Sequence, residues 1–301
     1  MSAADLQAHL AGGTTTVCRL WTVTRRDGLV LGFTDHDCDL VLDGVVCRAS
    51  SGLTASALVQ ATGLSVDNTE AVGALSDGAI SEADLVAGRF DGAEVRIWLA
   101  NWADVPARRE VFRGTLGEVT IKGAEFRAEL RGLAEPLNQP AGLAYTRTCQ
   151  AVLGDGRCGF DLTQPGYHAE RSVELVEDGG RVLRFAGFAG FDDRWFEGGR
   201  IEVLSGAAAG LSGVVKSDRL SGAMRRVELW QSLRAPLAPG DQLRLLAGCD
   251  RRAATCRVKF GNFLNFRGFP HLPGDDWITA YPRSDQANTG GSLVRPGAGP
   301  A

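Results

Sequence analysis

Hydrophobic and polar residues alternate over short segments in the first half of the chain, and glycine-containing turns separate these segments. A period of two with frequent turns is typical of antiparallel β-strands. The clearest hairpin joins residues 40–42 to residues 45–47 through Asp43-Gly44, a dipeptide that favours tight turns. The same pattern predicts strands at residues 14–24, 29–33, 93–99, 110–115, 118–122 and 124–131.

Three short helices are expected among these strands. The sequence Ser2-Ala3-Ala4-Asp5 resembles a capping box and predicts a helix that ends at Gly12-Gly13. A second helix is predicted between the N-cap residue Ser81 and the stop signal Gly88. Residues 54–62 are predicted to form the third.

A second set of β-type segments follows, at residues 171–177, 181–185, 199–204, 213–218, 225–230 and 241–245. Six short strands at this spacing indicate a small barrel or sandwich. The predicted fold class is mainly β, with two or more small β-barrel or sandwich domains and short helices, joined at a four-cysteine site.

Five sequence regions are predicted from these patterns. They are a β-rich N-terminal domain (1–148), a cysteine-bearing connector (149–165), a second small β-barrel domain (166–248), a cysteine-bearing closing segment (249–283) and a polar tail, flexible or ordered by a partner (284–301).

Composition supports a turn-rich β protein and excludes several classes. Glycine contributes 39 residues and proline 11, so 50 of the 301 residues favour turns and would interrupt long helices. Lys and Arg number 32 against 36 Asp and Glu, a net charge of −4, and no basic block stands out. Because strong nucleic-acid binding needs clusters of phosphate-neutralising residues, it is not expected here.

Neither a secretory signal nor a membrane span is expected. The N-terminal residues carry Asp5 and no apolar core segment. The longest uncharged span, residues 49–66, contains seven Ser, Thr and Gln residues and two glycines. The protein is therefore expected to be soluble and made in the cytoplasm.

Cysteine usage is the strongest chemical signal. Seven cysteines are present, and an odd number in a large chain argues against a disulfide framework. Four of them form two pairs, Cys149 with Cys158 and Cys249 with Cys256, with 90 residues between the pairs. Four thiolates can hold zinc or an iron–sulfur cluster. Spacings wider than those of zinc knuckles fit a larger cluster more easily, and two disulfides or buried thiols stay as alternatives.

The placement of the two pairs indicates a structural task. Because the second β set lies almost entirely between Cys158 and Cys249, joining the pairs would close that domain at its neck. Closing such a long loop removes a few kcal/mol of unfolded-chain entropy. Cys18, Cys38 and Cys47 are expected to be reduced thiols in or near strands.

No catalytic residue is predicted, and the chain is not expected to be an enzyme. Asp35-His36-Asp37 has the composition of an acid–base group, but neighbours on a strand point to opposite faces, so a hydrogen-bonded turn is the preferred interpretation. The serine–glycine pairs lack the G-x-S-x-G elbow. Residues 261–270, rich in aromatic and amide side chains, are expected to form a packed loop beside the cysteine site.

Ordered landmarks along nearly the whole chain resemble those of a known family. They are Leu31-Gly32-Phe33-Thr34-Asp35-His36-Asp37, Ala87-Gly88-Arg89-Phe90-Asp91-Gly92-Ala93, Gly114-Thr115-Leu116-Gly117-Glu118-Val119, Arg131-Gly132-Leu133, Tyr145, Cys149, Leu153-Gly154-Asp155, Arg157-Cys158-Gly159, Gly248-Cys249-Asp250, Thr255-Cys256 and Asn265-Phe266-Arg267-Gly268-Phe269-Pro270. The family is the phage conserved protein family found in tail-tip gene clusters and in the gene transfer agents of alphaproteobacteria. There it is the baseplate hub protein.

This resemblance implies a homotrimeric ring of β domains in the tail baseplate of a virion or gene transfer agent particle, assembled in the bacterial cytoplasm. The ring would link the distal tail protein to the central fibre or tip protein, with a tail-associated cell-wall peptidase as a further partner. DNA would pass through without specific binding, and the net charge of −4 agrees with a surface that does not bind phosphates.

The resemblance also implies a cofactor. The cysteine site is similar to the iron–sulfur site of the phage lambda tail-tip protein L, so Cys149, Cys158, Cys249 and Cys256 carry over as ligands of an iron–sulfur cluster of the 4Fe–4S type, with zinc as the alternative. It assigns no role to Asp35-His36-Asp37. Two other functions stay open: a metal- or cluster-dependent enzyme acting on the cell wall, and a zinc-stapled adhesin.

Overall fold

The first half of the chain folds into a β-sheet, as its alternating pattern predicts. The computed structural model describes residues 3–49, 54–55, 68–74, 80–122, 125–138, 142–272 and 284. Within these residues the sheet has nine strands in the order β3-β4-β2-β1-β7-β8-β9-β6-β5. Its strands are β1 (Val17–Thr24), β2 (Val30–Thr34), β3 (Leu40–Leu42), β4 (Val45–Arg48), β5 (Thr54–Ala55), β6 (Asn68–Ala74), β7 (Glu94–Asn101), β8 (Asp104–Lys122) and β9 (Glu125–Gly132).

Turn chemistry sets the predicted hairpin between β3 and β4. Asp43 and Gly44 both have positive φ, 49° and 85°, which two-residue hairpin turns require. Leu42, whose side chain is 2% exposed, packs with Cys18, Cys47 and Trp98 in one core cluster of this sheet. The hairpin and its register, Leu40 to Cys47 and Leu42 to Val45, are confirmed.

One prediction for this sheet is wrong. Residues 110–115 and 118–122 were expected to be separate strands with a glycine turn between them, but both belong to the single strand β8. The pairing of β8 with β9 shifts register between Leu116 and Val119, so Gly117 lies in a bulge rather than a turn. Glycine within a strand pattern often marks such a bulge.

Short helices occur where cap signals are clear. The first helix, α1, spans Ala3–Ala11, and the second, α2, spans Glu82–Val86 with the Ser81 side chain accepting a hydrogen bond from the Asp84 N–H. A third, α3, spans Ala253–Val258 and was not predicted. The predicted helix at 54–62 is wrong at its start, because Thr54–Ala55 form β5, and residues 56–62 lie outside the described part of the chain.

The second β set forms a separate sheet. In the described residues it has seven strands in the order β10-β16-β13-β14-β15-β12-β11. They are β10 (His168–Ser172), β11 (Leu175–Glu177), β12 (Val182–Phe185), β13 (Arg200–Val203), β14 (Ser212–Ser221), β15 (Met224–Leu229) and β16 (Gln242–Leu246). The mainly β fold class with short helices is confirmed. The predicted strand 171–177 is instead divided between β10 and β11. Buried Val173 lies between them: its N–H donates to the Asp241 carbonyl, and its carbonyl accepts from the Gly240 N–H.

The core of the second sheet contains a buried ion pair. Neither Asp218 on β14 nor Arg225 on β15 exposes its side chain, and Arg225 Nη1 donates to Asp218 Oδ2 at 2.8 Å. Arg225 Nη2 donates to the carbonyl of Phe191 at 2.6 Å, and its guanidinium lies 5.0 and 5.1 Å from the ring centres of Phe188 and Phe196. Burial raises the pKa of Asp218, although the Phe196 N–H and Arg225 favour its charged form.

No helix among the described residues has the length and apolar character needed to cross a membrane. The uncharged span 49–66, considered as a membrane span in the sequence, lies largely outside the described residues.

Breaking the buried pair should destabilise the protein strongly. Replacing Asp218→Asn removes the charge that offsets Arg225 in a dry core, and we expect the free energy of unfolding to fall by about 3–5 kcal/mol in urea titrations. The control is Asp178→Asn, which removes the exposed ion pair with Arg181 at 2.6 Å and should cost less than about 1 kcal/mol. Equal losses for the two variants would contradict this account of the core.

Candidate metal centre

Two chain segments meet where the second sheet begins and ends. The Cys149 N–H donates to the Arg251 carbonyl at 2.8 Å, and the Ala247 N–H donates to the Tyr167 carbonyl at 2.8 Å. Further along, the Phe269 N–H donates to the Thr146 carbonyl at 2.8 Å. We call residues 142–167 and 247–272 the neck. All four paired cysteines lie in it, two on each segment.

A carboxylate shapes the loop that presents Cys158. Asp155 accepts hydrogen bonds from the N–H groups of Val152 at 2.9 Å, Arg157 at 2.9 Å and Cys158 at 2.6 Å. These bonds, with that of Cys158 the largest, lower the pKa of Asp155. Gly154 turns the chain with φ of 84°, a conformation that L side chains rarely adopt. The Gly-Asp-Gly-Arg-Cys-Gly sequence therefore forms a fixed loop.

An asparagine that the sequence did not single out links the two segments. Asn262 Nδ2 donates to the Cys158 carbonyl at 2.7 Å and lies 3.5 Å from the Cys158 Sγ. Its own N–H donates to the Cys256 carbonyl at 3.0 Å, and its Oδ1 accepts from Asn265 Nδ2 at 2.8 Å. The prediction that residues 261–270 lie beside the cysteines is confirmed, although none of these residues is buried and Leu264 is 97% exposed. The amide-rich composition was the available signal.

Backbone N–H groups point at two more sulfur atoms. The Arg251 N–H lies 3.3 Å from the Cys249 Sγ, and the Arg267 N–H lies 3.3 Å from the Cys149 Sγ. Such N–H···S contacts favour a thiolate and tune metal–sulfur sites. Sulfurs on both segments thus have polar donors.

The four thiols influence one another. All seven cysteines are free in the structure, which therefore contains neither of the two alternative disulfides. Burial raises the pKa of Cys249 and of Cys256, and negative charge on Cys149 and Cys158 raises both further. Burial and mutual repulsion therefore oppose deprotonation of these neighbouring thiols. A bound cation would attract the thiolates and favour their deprotonation.

Positive side chains are frequent in the sequence of the neck. Residues 142–161 and 249–272 contain seven Arg and Lys against three Asp, whereas the whole chain carries a net charge of −4. Lys259 is the most enclosed of these cations. Its Nζ donates to the carbonyls of Trp195 at 2.6 Å and Gly248 at 2.9 Å, and burial lowers its pKa to about 8. Local positive charge offsets the charge of grouped thiolates.

The distances between the four neck sulfur atoms can be compared with those in a metal site. Among the described residues, one group of three potential metal ligands has its ligand atoms within 4.8 Å of one another. It consists of His36, Asp37 and Cys38. No three of the four neck sulfurs are that close. Tetrahedral zinc with bonds of about 2.3 Å places its sulfurs about 3.8 Å apart. Both zinc and an iron–sulfur cluster take four cysteine ligands, and the neck provides four thiols.

The remaining cysteines differ from this group. Burial raises the pKa of Cys18 and of Cys47 to about 11, which makes both unreactive as thiolates. Cys38 is exposed, and the neighbouring Asp37 raises its pKa. These residues lie in or beside the strands of the first sheet, as predicted.

Hydrogen bonding accounts for Asp35-His36-Asp37. Asp35 Oδ1 accepts from the Arg19 N–H at 2.6 Å, and His36 Nδ1 accepts from the Cys38 N–H at 3.0 Å. The His36 ring lies 5.0 Å from that of Trp102. The turn rich in hydrogen bonds is confirmed, and the exposed Cys38 thiol lies in the same group, with its sulfur and the ligand atoms of His36 and Asp37 within 4.8 Å of one another.

Three cavities lie among the described residues near the contacts between the sheets and near the neck. Two, of about 470 and 510 Å³, lie where Arg234 meets Asp91 between the sheets, and neither is lined by a cysteine or histidine. A third, of about 180 Å³, lies beside Cys249 and is lined mainly by apolar residues such as Leu153, Leu162 and Leu246.

Comparison with known proteins gives two family matches and similar solved structures. Residues 3–161 match the model described as "Baseplate hub protein, N-terminal attachment domain", and residues 194–276 match "Phage conserved hypothetical protein BR0599". A solved chain in the virion of a native gene transfer agent particle is 57% identical, with a TM-score of 0.88, over 96% of this chain and 99% of that chain.

The other comparisons add little. A proposed oxidoreductase from Sinorhizobium meliloti aligns over 87% of this chain and 96% of that chain at 12% identity, with a TM-score of 0.22. No protein with a curated description matches.

Close backbone contact at the neck should make one glycine irreplaceable. A Cβ on Gly248 would lie 1.8 Å from the Glu197 carbonyl oxygen, so Gly248→Ala must displace the chain next to Cys249. We expect a loss of about 1–3 kcal/mol in the free energy of unfolding, the usual cost of overpacking. The control is Gly156→Ala, since a Cβ there meets no atom within 4 Å. Equal stability of both variants in thermal unfolding would contradict the prediction.

Proposed function

The chain belongs to the family of baseplate hub proteins, and we propose that it serves as the structural hub of a tail baseplate in a gene transfer agent particle. The main support for this proposal is the 57% sequence identity, over 96% of this chain, to a chain of such a virion. At this identity and coverage the two chains share both sheets and the segments between them.

The proposed hub is a homotrimeric ring that links the distal tail protein to the central fibre or tip protein. A tail-associated cell-wall peptidase is a further proposed partner, and DNA passes through the ring during delivery. Two observations support this role: several large apolar side chains stay exposed, including Leu264 at 97%, and the net charge of −4 does not favour binding to phosphates.

The hub is stabilised, in this proposal, by an iron–sulfur cluster of the 4Fe–4S type held by Cys149, Cys158, Cys249 and Cys256. Four free thiols, N–H donors to three of the sulfurs and the positive side chains of the neck support the assignment. The cluster would supply metal–thiolate bonds that join the two neck segments. The chain's own part is to present the thiols from two fixed loops.

Cross-linking at the neck has a clear energetic effect. The four sulfurs would close a loop of 90 residues that contains the whole second sheet. By analogy with a disulfide, closing a loop near 100 residues contributes about 4–5 kcal/mol through the unfolded state. This stabilisation does not require catalysis.

The cofactor proposal is tested by metal analysis of the full chain purified anaerobically. We expect iron and acid-labile sulfide, and we expect Cys158→Ser to lose most of both because it removes one ligand. Cys38→Ser is the matched control, an exposed cysteine outside the neck, and should retain them. Zinc in place of iron would favour the zinc-stapled adhesin, and protein with neither metal would refute the cluster.

The hub proposal is tested in cells that produce particles. We expect this chain in purified particles at the tail end in a cryo-EM map, and we expect its deletion to abolish DNA transfer while the same cells still make capsid protein. A peptidoglycan-release assay, with His36→Ala as control, addresses the enzyme alternative. Absence of the chain from particles would refute the hub function, and cell-wall release lost in His36→Ala would favour an enzyme.

A further inference from the structure

The loop between β2 and β3 is fixed at both of its ends by aspartate side chains. Asp35 Oδ1 accepts a hydrogen bond from the Arg19 N–H at 2.6 Å, and Asp39 Oδ1 accepts one from the Ala49 N–H at 2.7 Å. These two carboxylates therefore hold the loop to neighbouring backbone of the first sheet. The three residues between them, 36–38, are presented at the tip of a loop whose ends are fixed.

The imidazole of His36 is held in place as well. Its ring centre lies 5.0 Å from that of Trp102, and its side chain is only 17% exposed. The His36 N–H donates to the Thr34 Oγ1 at 3.1 Å, which fixes the backbone at the same residue. A ligand group whose orientation is set before binding loses less conformational freedom when it binds.

Three groups of metal-binding chemistry meet at this tip. The imidazole of His36, the carboxylate of Asp37 and the thiol of Cys38 have ligand atoms within 4.8 Å of one another. In a tetrahedral site with bonds of about 2.0–2.3 Å, the ligand atoms are about 3.3–3.8 Å apart. Because Asp37 and Cys38 are exposed, their side chains can rotate to close this difference. Nitrogen, oxygen and sulfur together form a ligand set that suits zinc and related divalent transition metals.

The contacts of the His36 ring favour a cation at this position. Its Nδ1 accepts a hydrogen bond from the Cys38 N–H at 3.0 Å and also lies 3.0 Å from Asp37 Oδ1. An imidazole nitrogen that accepts a hydrogen bond carries no hydrogen, so it presents a lone pair to the carboxylate. Negative charge on Asp37 also raises the pKa of the Cys38 thiol. A cation bound among the three groups would remove this repulsion and stabilise the thiolate.

We propose that His36, Asp37 and Cys38 form a binding site for a divalent transition metal ion of the zinc type, separate from the neck. The Cys38 thiol would release its proton to solvent when the metal binds. Three protein ligands leave a fourth coordination position, which water can reach because Asp37 and Cys38 are exposed. This site requires neither the hub function nor the neck cysteines.

Cobalt absorption tests the site in the full chain. Protein purified anaerobically is treated with a chelator to remove weakly held metal and is then titrated with Co²⁺. We expect one equivalent of Co²⁺ to bind with a sulfur-to-cobalt charge-transfer band that Cys38→Ser removes and that added Zn²⁺ displaces. Asp37→Asn and His36→Ala should each weaken binding at least about tenfold, since loss of a ligand costs no less than loss of an outer-shell partner.

Asp43→Asn is the matched control. It removes an exposed carboxylate from the turn between β3 and β4, outside the proposed site, and asparagine tolerates the positive φ of 49° found there. Cobalt affinity should be unchanged in this variant. Equal weakening by Asp43→Asn and Asp37→Asn would mean general attraction of cations by acidic groups and would overturn the site. Because Asp37 and Cys38 are exposed, Asp37→Asn and Cys38→Ser should keep the wild-type unfolding temperature.

Comparison with a neck variant separates this site from the four neck cysteines. The band that depends on Cys38 should persist in the Cys158→Ser variant, whose neck has lost one thiol. Metal removed by Cys38→Ser belongs to the loop, and metal removed by Cys158→Ser belongs to the neck. If the wild type and Cys38→Ser bind the same amount of cobalt with the same spectrum, the loop site is refuted, whatever the neck holds and whether or not the chain is present in particles.

Discussion

The meeting of two distant chain segments at the neck is the constraint on which the arrangement of this protein depends. The Cys149 N–H bonds the Arg251 carbonyl, and the Ala247 N–H bonds the Tyr167 carbonyl, so the chain closes around a seven-stranded sheet at its base. Asn262 strengthens this junction by bonding the backbone at both Cys158 and Cys256. Bringing the ends of so long a loop together costs entropy. A cofactor bound by all four thiols would offset that cost at the point where it arises.

Each sheet is stabilised separately, and polar contacts such as that of Arg89 with the Ala207 carbonyl at 2.9 Å join the two. Each has its own apolar core, one around Phe188 and Phe196 and another around Trp21 and Phe90. Between them, Arg234 pairs with Asp91 at 2.7 Å with both side chains more than half exposed, and such a pair contributes at most about 1 kcal/mol. Rigidity within a sheet therefore comes from its core, and the neck bonds join the two ends of the second sheet.

The candidate site could be predicted as a set of residues but not as a geometry. Cysteine number and position identified the four thiols and the neck, since the identity and spacing of cysteines can be read directly from the sequence. The N–H donors from Arg251 and Arg267 could not be predicted, because backbone amides carry no sequence signal. Nor could the role of Asn262, which depends on a contact across more than a hundred residues of chain. Gly248 was visible as a glycine, and only its contact with Glu197 shows why it must be one.

Periodicity and turn chemistry determined the mainly β class, the hairpin at Asp43-Gly44 and the helix capped by Ser81, because these depend on neighbours a few residues apart. Tertiary structure decided what depends on distant partners. Gly117 lies in a bulge of β8 because β9 pairs with the residues of β8 both before and after it. Val173 lies between β10 and β11 because its N–H bonds the Asp241 carbonyl of a loop. The burial of Asp218 with Arg225 likewise requires two strands and three loop residues to assemble. Local patterns thus specified the elements, and long-range backbone and side-chain bonds specified how the neck holds them together.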